Sequence, residues 1–286
     1  SKFTTLNVKS TNFVKSSAKA LGGAIYTDDQ TIATVKTSTF TELSGRLGAG
    51  IYIGRGAAVS VSGSNFHGCK SEHYGTIYAA YNRNKQVVTD TSFTANSAIL
   101  GGGAITLDST PMSCENCIFR NNFAGKKLTN IGTEAVGTGG DAKKCEDKDI
   151  GKGGAIFTLG QAKIDLKGSV FDNNFAPIGG GIYAAGLSVL TITSSTATNN
   201  YVSTNGGFLA LEPGSLLTAY ELNCESNYGI GFGGCISADI GATVFASEST
   251  FKNNTVKTMG GAIYFPGFIG DSSLYGSLIN NIFAGN

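Results

Sequence analysis

Apolar and polar residues alternate along this chain in short bursts. Val59-Ser-Val61, Ile164-Asp-Leu166 and Leu190-Thr-Ile192 each set two aliphatic side chains around a polar one, the period of a strand with one buried face. No run of ten residues carries the 3.6-residue period of a helix, which βα solenoids such as leucine-rich repeats require in every unit.

The bursts belong to a repeat. One phrase reads GGAIY at 22–26, GAGIY at 48–52, GTIY at 75–78, GGAIT at 102–106, GGAIF at 153–157, GGGIY at 179–183, GGFLA at 206–210, GGCIS at 233–237 and GGAIY at 260–264. Its aliphatic residue falls at Ile25, Ile51, Ile77, Ile105, Ile156, Ile182, Leu209, Ile236 and Ile263, with spacings of 26, 26, 28, 51, 26, 27, 27 and 27. One insertion of about a period's length accounts for the 51. A second phrase trails the first by some 15 residues and sets an Asn three after an aromatic or other apolar residue, as in FRNN at 119–122, FDNN at 171–174 and FKNN at 251–254. Earlier copies at Phe13, Phe40 and Phe66 keep the aromatic and lack the Asn.

Two phrases in phase define one structural unit: a GGAIY strand, a VxV strand and a Ser-x-Phe strand. About ten coils of 26–27 residues with three strands and no helix predict an all-β fold, a right-handed single-stranded parallel β-helix. The chain is expected to be a single domain over 1–286 with a polar loop inserted at 125–152. Alternation predicts that the key Ile and the residue two later (Ile53, Ala79, Leu107, Ala184, Leu211, Ala238 and Phe265) point inward. The residue between them then points out, so Tyr26, Tyr52, Tyr78, Phe157, Tyr183 and Tyr264 should form an outer aromatic stripe. It either stacks on itself or offers rings to sugars or another chain. Asn96, Asn122, Asn174, Asn200, Asn227, Asn254 and Asn281 are expected to stack as a structural ladder, each amide bonding the next. The paired glycines suit positive φ or close approach at a tight corner.

These phrases, in this order and phase, resemble the passenger repeats of the chlamydial polymorphic outer membrane proteins. Very similar units occur in large surface proteins of ciliates and other protists, and the architecture looks like the pectate-lyase β-helix. The resemblance runs from Phe13 to Asn281, apart from roughly 125–150. It implies an exported protein that presents a long surface for adhesion or assembly. The bacterial family's anchor, a β-barrel of alternating ten-residue strands, is not among these 286 residues.

Composition sharpens the setting. Gly reaches 41 residues against 4 Pro and no Trp, charged residues are 14%, and the net charge is +1. Balanced, scattered charge excludes nucleic acid and anionic membranes as partners. No window supplies the ~18 uncharged apolar residues of a membrane span. Six Cys and two His without paired CxxC motifs fit oxidised, extracellular chemistry better than a zinc site. Cys224 stands in the Phe column and Cys235 in the Ala column before the next GGAIY strand, so the two should form a disulfide. Cys145, in the insertion, has a partner in either Cys114 or Cys117.

Candidate chemistry is thin. Lyases and hydrolases on this fold cluster carboxylates on one outer face, whereas here Asp165 stands alone in its column and Asp28, Asp29 and Asp108 lie about three coils apart. No nucleophile elbow, P-loop, Ca²⁺-binding nonapeptide or zinc spacing occurs, so no catalytic residue, cofactor or metal is expected. The leading expectation is a non-catalytic structural or adhesive module at the cell surface or in a filament. The alternative is a carbohydrate-active enzyme of the same fold. Expected partners are surface glycans or a receptor along the lateral surface, and other copies or further domains at the ends, because neither Val8-to-Phe13 nor Phe283-to-Asn286 reads as a cap.

Overall fold

The computed structural model describes residues 3–126, 151–266 and 276–286. The chain winds as a parallel β-helix whose four sheets run along its length. They are named A, B, C and D in the order in which each coil meets them. Sheets A and B hold ten strands and sheets C and D nine, and every neighbour in a sheet is the equivalent strand of the next coil. One coil shows the plan: Ile156–Leu159 in D, Lys163–Lys167 in A, Val170–Asp172 in B, Phe175–Ala176 in C, then Ile182–Ala184 in D again. The three expected strands are present, and sheet C adds a fourth. In most coils it has only two residues, such as Phe123–Ala124, too few for alternation to be seen in a sequence.

Register follows the repeat. Ile105 pairs directly with Ile156, so the 51-residue gap is one coil plus an insertion. The insertion leaves and returns at the C–D corner, where a Cβ on Gly151 would lie 2.6 Å from the Cα of Gly125. Its interior, residues 127–150, lies outside the described residues.

The inward columns make a continuous core. Phe40, Phe66, Phe93, Phe119, Phe171 and Phe251 are fully buried, and successive rings stack, Phe40 on Phe66 at 4.3 Å and Phe93 on Phe119 at 5.1 Å between centroids. Each such ring contributes roughly 1.5–3 kcal/mol by burial alone. The residue two after the key Ile is buried from Ile53 to Ala238, as expected. Phe265 departs from this: it is 38% exposed, because the last sheet D strand ends at Tyr264.

Short turns hold sheet B in place. A residue with φ near +50° precedes each three-residue strand of sheet B and another follows it, for instance Ser194 and Asn199. This left-handed conformation is one that Asn tolerates better than most residues, which explains the first Asn of each NN pair. The second Asn is the ladder. Asn174 Nδ2 donates to Asn200 Oδ1 at 2.9 Å and to the Phe119 carbonyl at 2.9 Å, while its own Oδ1 accepts from Asn122 Nδ2 at 3.0 Å. The same contacts run from Asn96 to Asn254.

Asn281 is not part of this ladder. Phe251 pairs with Phe283, not with Leu278, and Asn286 takes the next rung, accepting from Asn254 Nδ2 at 3.1 Å. Asn281 instead sits one turn earlier, where its Oδ1 accepts from the Ser249 amide at 2.9 Å, the position of Ser195 and Ser169 in earlier coils. A few extra residues between sheets D and A of the last coil shift the phrase, so NN at 280–281 imitates the ladder while Phe283-Ala-Gly-Asn286 is its real copy.

The glycine pair uses both properties expected of it. Gly179 has φ +64°, and a Cβ on Gly180 would collide with the carbonyl oxygen of Gly207 in the next coil.

Candidate interaction surfaces

The outer face of sheet D carries the expected aromatic stripe, in pieces. Tyr26 and Tyr52 stack at 5.3 Å with planes 6° apart. Thr106, Ala210 and Ser237 then take the equivalent places in their coils. Tyr78, just before the first break, and Phe157 and Tyr183, between the first and second, are at most 8% exposed, with Tyr74 stacked on Tyr78 and Tyr74, Leu159 and Ile178 packed against Phe157 and Tyr183. The stripe is therefore not one exposed platform. Where it is open, the rings spend their faces on each other and present edges to solvent, the arrangement of a self-stacked ladder.

One polar cluster stands on this face. Tyr183 Oη donates to Glu212 Oε1, and Lys152 Nζ lies 3.2 Å from the same oxygen and 4.6 Å from the centre of the Tyr183 ring. Lys152 follows the insertion and pairs as a single bridge with Gly101 and Ile178, so the insertion's exit is tied across the sheet D face. Burial raises the Glu212 carboxyl, but the hydrogen bonds from Tyr183 and Lys152 and the ammonium charge outweigh it and leave the carboxyl below its ordinary value. Burial and Glu212 together push the Tyr183 phenol up. Asp239 follows Glu212 one coil on, since Leu211 pairs with Ala238, so the two acids take equivalent places just past the ends of adjacent sheet D strands. Neither belonged to the acids singled out in the sequence. Glu212 and Asp239 sit just past the GGFLA and GGCIS strands, where alternation gives no orientation.

A second aromatic ladder went unread. Phe123, Phe175, Tyr201 and Tyr228 stack on the outer face of sheet C at 5.2–5.4 Å with planes at most 14° apart. The signal was available: each is the residue immediately after a ladder Asn.

Outward charge varies along sheet A. Strands Thr31–Lys36, Pro111–Glu115 and Lys163–Lys167 carry outward charges such as Lys36, Glu115, Lys163, Asp165 and Lys167, while Ala58–Ser62 and Gln86–Thr89 carry none. In the three strands Val189–Thr193, Leu216–Tyr220 and Thr243–Ser247, every outward residue is uncharged and the strands are in full register. Tyr220 is 44% exposed and Phe245 43%, and Leu187 and Ile240 in the adjoining turns are 59% and 47% exposed.

The cysteines divide. Cys224 and Cys235 are joined by a disulfide across the core, as their columns implied. Cys69, Cys114 and Cys117 are buried free thiols. Cys117 and burial raise the Cys114 thiol, and burial pushes Cys69 up to about 11, so both are neutral and poor nucleophiles at neutral pH. Cys145 lies outside the described residues. Among the described residues no helix is long and apolar enough to cross a membrane, and no group of three or more His, Cys, Asp and Glu is placed to hold a metal ion.

Stacked parallel coils with a sealed core and differentiated outer faces define a β-solenoid. The family model described as the right handed beta helix region matches residues 4–186, and the chain belongs to that family. A second model, the Chlamydia polymorphic membrane protein repeat, matches residues 248–266, a stretch that contains one copy of each phrase and upholds the resemblance read from them. No curated protein and no solved structure matches the chain.

Proposed function

We propose that this chain is a non-catalytic, extracellular structural or adhesive module of a cell-surface protein, acting through its lateral surface on surface glycans or a receptor. The uncharged face of sheet A around Tyr220 and Phe245 carries this reading: after the charged strands Pro111–Glu115 and Lys163–Lys167, three successive coils present no outward charge on this sheet and expose Tyr220 and Phe245. The Cys224–Cys235 disulfide supports an oxidising compartment, where such bonds persist. The decisive measurement is binding of the immobilised chain to cultured cells, compared with a Tyr220→Lys/Phe245→Lys variant of unchanged circular dichroism. A loss of about tenfold in affinity, equivalent to ~1.4 kcal/mol, is expected. Equal binding by the two proteins would remove the sheet A face from the account.

A second reading, a carbohydrate-active enzyme, draws on one observation: Glu212 and Asp239 just past the ends of adjacent strands, with Lys152 and Tyr183 against Glu212. It requires release of reducing sugars or unsaturated uronides from polysaccharides, abolished by Glu212→Gln and Asp239→Asn alike.

A further inference from the structure

The turn between sheets B and C repeats in every coil, yet it carries a chemically distinct feature in one of them. Asn121, Asn173, Asn199 and Asn253 occupy its left-handed position with φ between +53° and +56°, and each is followed by a ladder Asn. The next residue is Phe123, Phe175 and Tyr201 in the first three, the start of the sheet C aromatic ladder. In the fourth the ladder has ended and Thr255 takes the place, in register with Tyr228. Asn253-Asn254-Thr255 is therefore an Asn-x-Thr acceptor, and among the 22 asparagines of the sequence it is the only one followed two residues later by Ser or Thr.

The geometry suits the modification. Asn253 and Thr255 are both exposed while Asn254 between them is buried in the ladder, so the acceptor amide faces outward and the residue that must stay inside is not the one modified. In earlier coils that carry Asn at this turn the outer amide is engaged: Asn173 Nδ2 donates to Asn121 Oδ1 at 2.6 Å and Asn199 Nδ2 to Asp172 Oδ1 at 3.2 Å. Asn253 makes no such side-chain bond among the described residues. The next coil sets Gly285 against it, where an added Cβ would lie 2.5 Å from Asn253 Oδ1, so the amide oxygen rests on glycine backbone and no side chain at that position covers the amide.

We propose that Asn253 is an N-glycosylation site. The inference rests on the extracellular reading above. In the transfer, Asn253 Nδ2 loses a proton and bonds to the anomeric carbon of a lipid-diphosphate-linked oligosaccharide, and the lipid diphosphate departs with the electrons of the broken sugar–phosphate bond. The glycan then projects from the B–C turn, across sheet B from the uncharged face of sheet A, and leaves that face open.

The test is secretion of the full 286-residue chain behind a cleavable leader from a eukaryotic cell line, read by intact mass and by an amidase that releases N-glycans and leaves Asp. One glycan per chain is expected, mapped to position 253, lost in Thr255→Ala and restored in Thr255→Ser. Thr255→Ala keeps the left-handed Asn and changes only an exposed side chain, so folding is not at stake. A secreted chain with no glycan, or one whose glycan persists in Thr255→Ala, overturns the proposal. Neither result bears on the extracellular reading, because the chain in both has been exported.

Discussion

At the scale of single residues, the chain depends on polar groups that must be satisfied inside a dry column. Asn174 is fully buried and uses both ends of its amide, bonding Asn200 and the Phe119 carbonyl while accepting from Asn122. Asn174→Ala strands a carbonyl and two amides and should cost roughly 1–3 kcal/mol, seen as a lower denaturant midpoint with an unchanged slope. An unaltered midpoint would show that the ladder only follows the coil and does not stabilise it. Glu212 makes a different case, since its folded carboxyl lies below the ordinary value of 4.5. A depressed carboxylate contributes stability that is fully present above the unfolded value and is lost as pH falls through the lower folded one. Below about pH 4.5 the protein should lose stability more steeply than its Glu212→Gln variant. Parallel pH curves for the two would mean that the Lys152 and Tyr183 contacts are not kept in solution.

At the scale of elements, coils exchange volume between columns. Where the Phe column holds Ala197, the Ala column of the same coil holds Phe208, which reaches the Phe171 ring at 5.3 Å and leaves room only for glycine at Gly181, whose Cβ would lie 2.6 Å from its ring. One coil later the same two places are Cys224 and Cys235, and a disulfide replaces the ring. Phe208→Ala alone should cost about 3–5 kcal/mol and Ala197→Phe alone about 1–3 through overpacking. The double variant restores the usual pattern, so its cost should fall short of the sum by about 0.5–3 kcal/mol, and strict additivity in a denaturant-melt cycle would refute the exchange. Cys224→Phe/Cys235→Ala should likewise be more stable than either single change. This is also where the sequence was most legible: the Cys pair, the key Ile column and the glycine corners sit on a spacing that sterics allow to vary by only one or two residues. Sheet C stayed hidden because two residues cannot show a period. Asn281 misled because a left-handed turn followed by an inward polar residue occurs on both sides of sheet B, and only strand pairing separates them. The Lys152–Tyr183–Glu212 cluster was unreadable for a related reason, since its members are 31 and 29 residues apart and meet only through coil stacking.

At the scale of the whole molecule, a β-helix differs from a globular domain in having two end coils, and here the described residues leave parts of both exposed. The final strands of sheets A and B expose residues that are interior elsewhere: Phe283 stacks on Phe251 at 5.0 Å with its other face open and is 48% exposed, and Leu278, the successor of Ala246, is 44% exposed. Ile279 and Ile282 beside them are 55% and 61% exposed. At the opposite edge Leu6, Val8 and Phe13 are only partly buried, and Phe13 covers one face of its ring with Phe40 at 4.8 Å. Among the described residues the first and last strands of sheets A and B pair on one side only, which leaves a template for parallel pairing with another strand set. The two are complementary, because the first coil offers Phe13 where the last coil's Phe283 lacks a neighbour. Such a contact joins different surfaces of each copy, so it does not close on itself and propagates as a filament unless something else occupies an edge. The isolated 286-residue chain should therefore associate end to end in a concentration-dependent way, with sedimentation coefficients that rise across a dilution series. Phe283→Asp, which sets an unpaired charge against the incoming Phe13, should hold it as a monomer while leaving the thermal melt of the inner coils in place. A wild-type chain that stays monomeric at every concentration would show that the edges are covered within the chain itself.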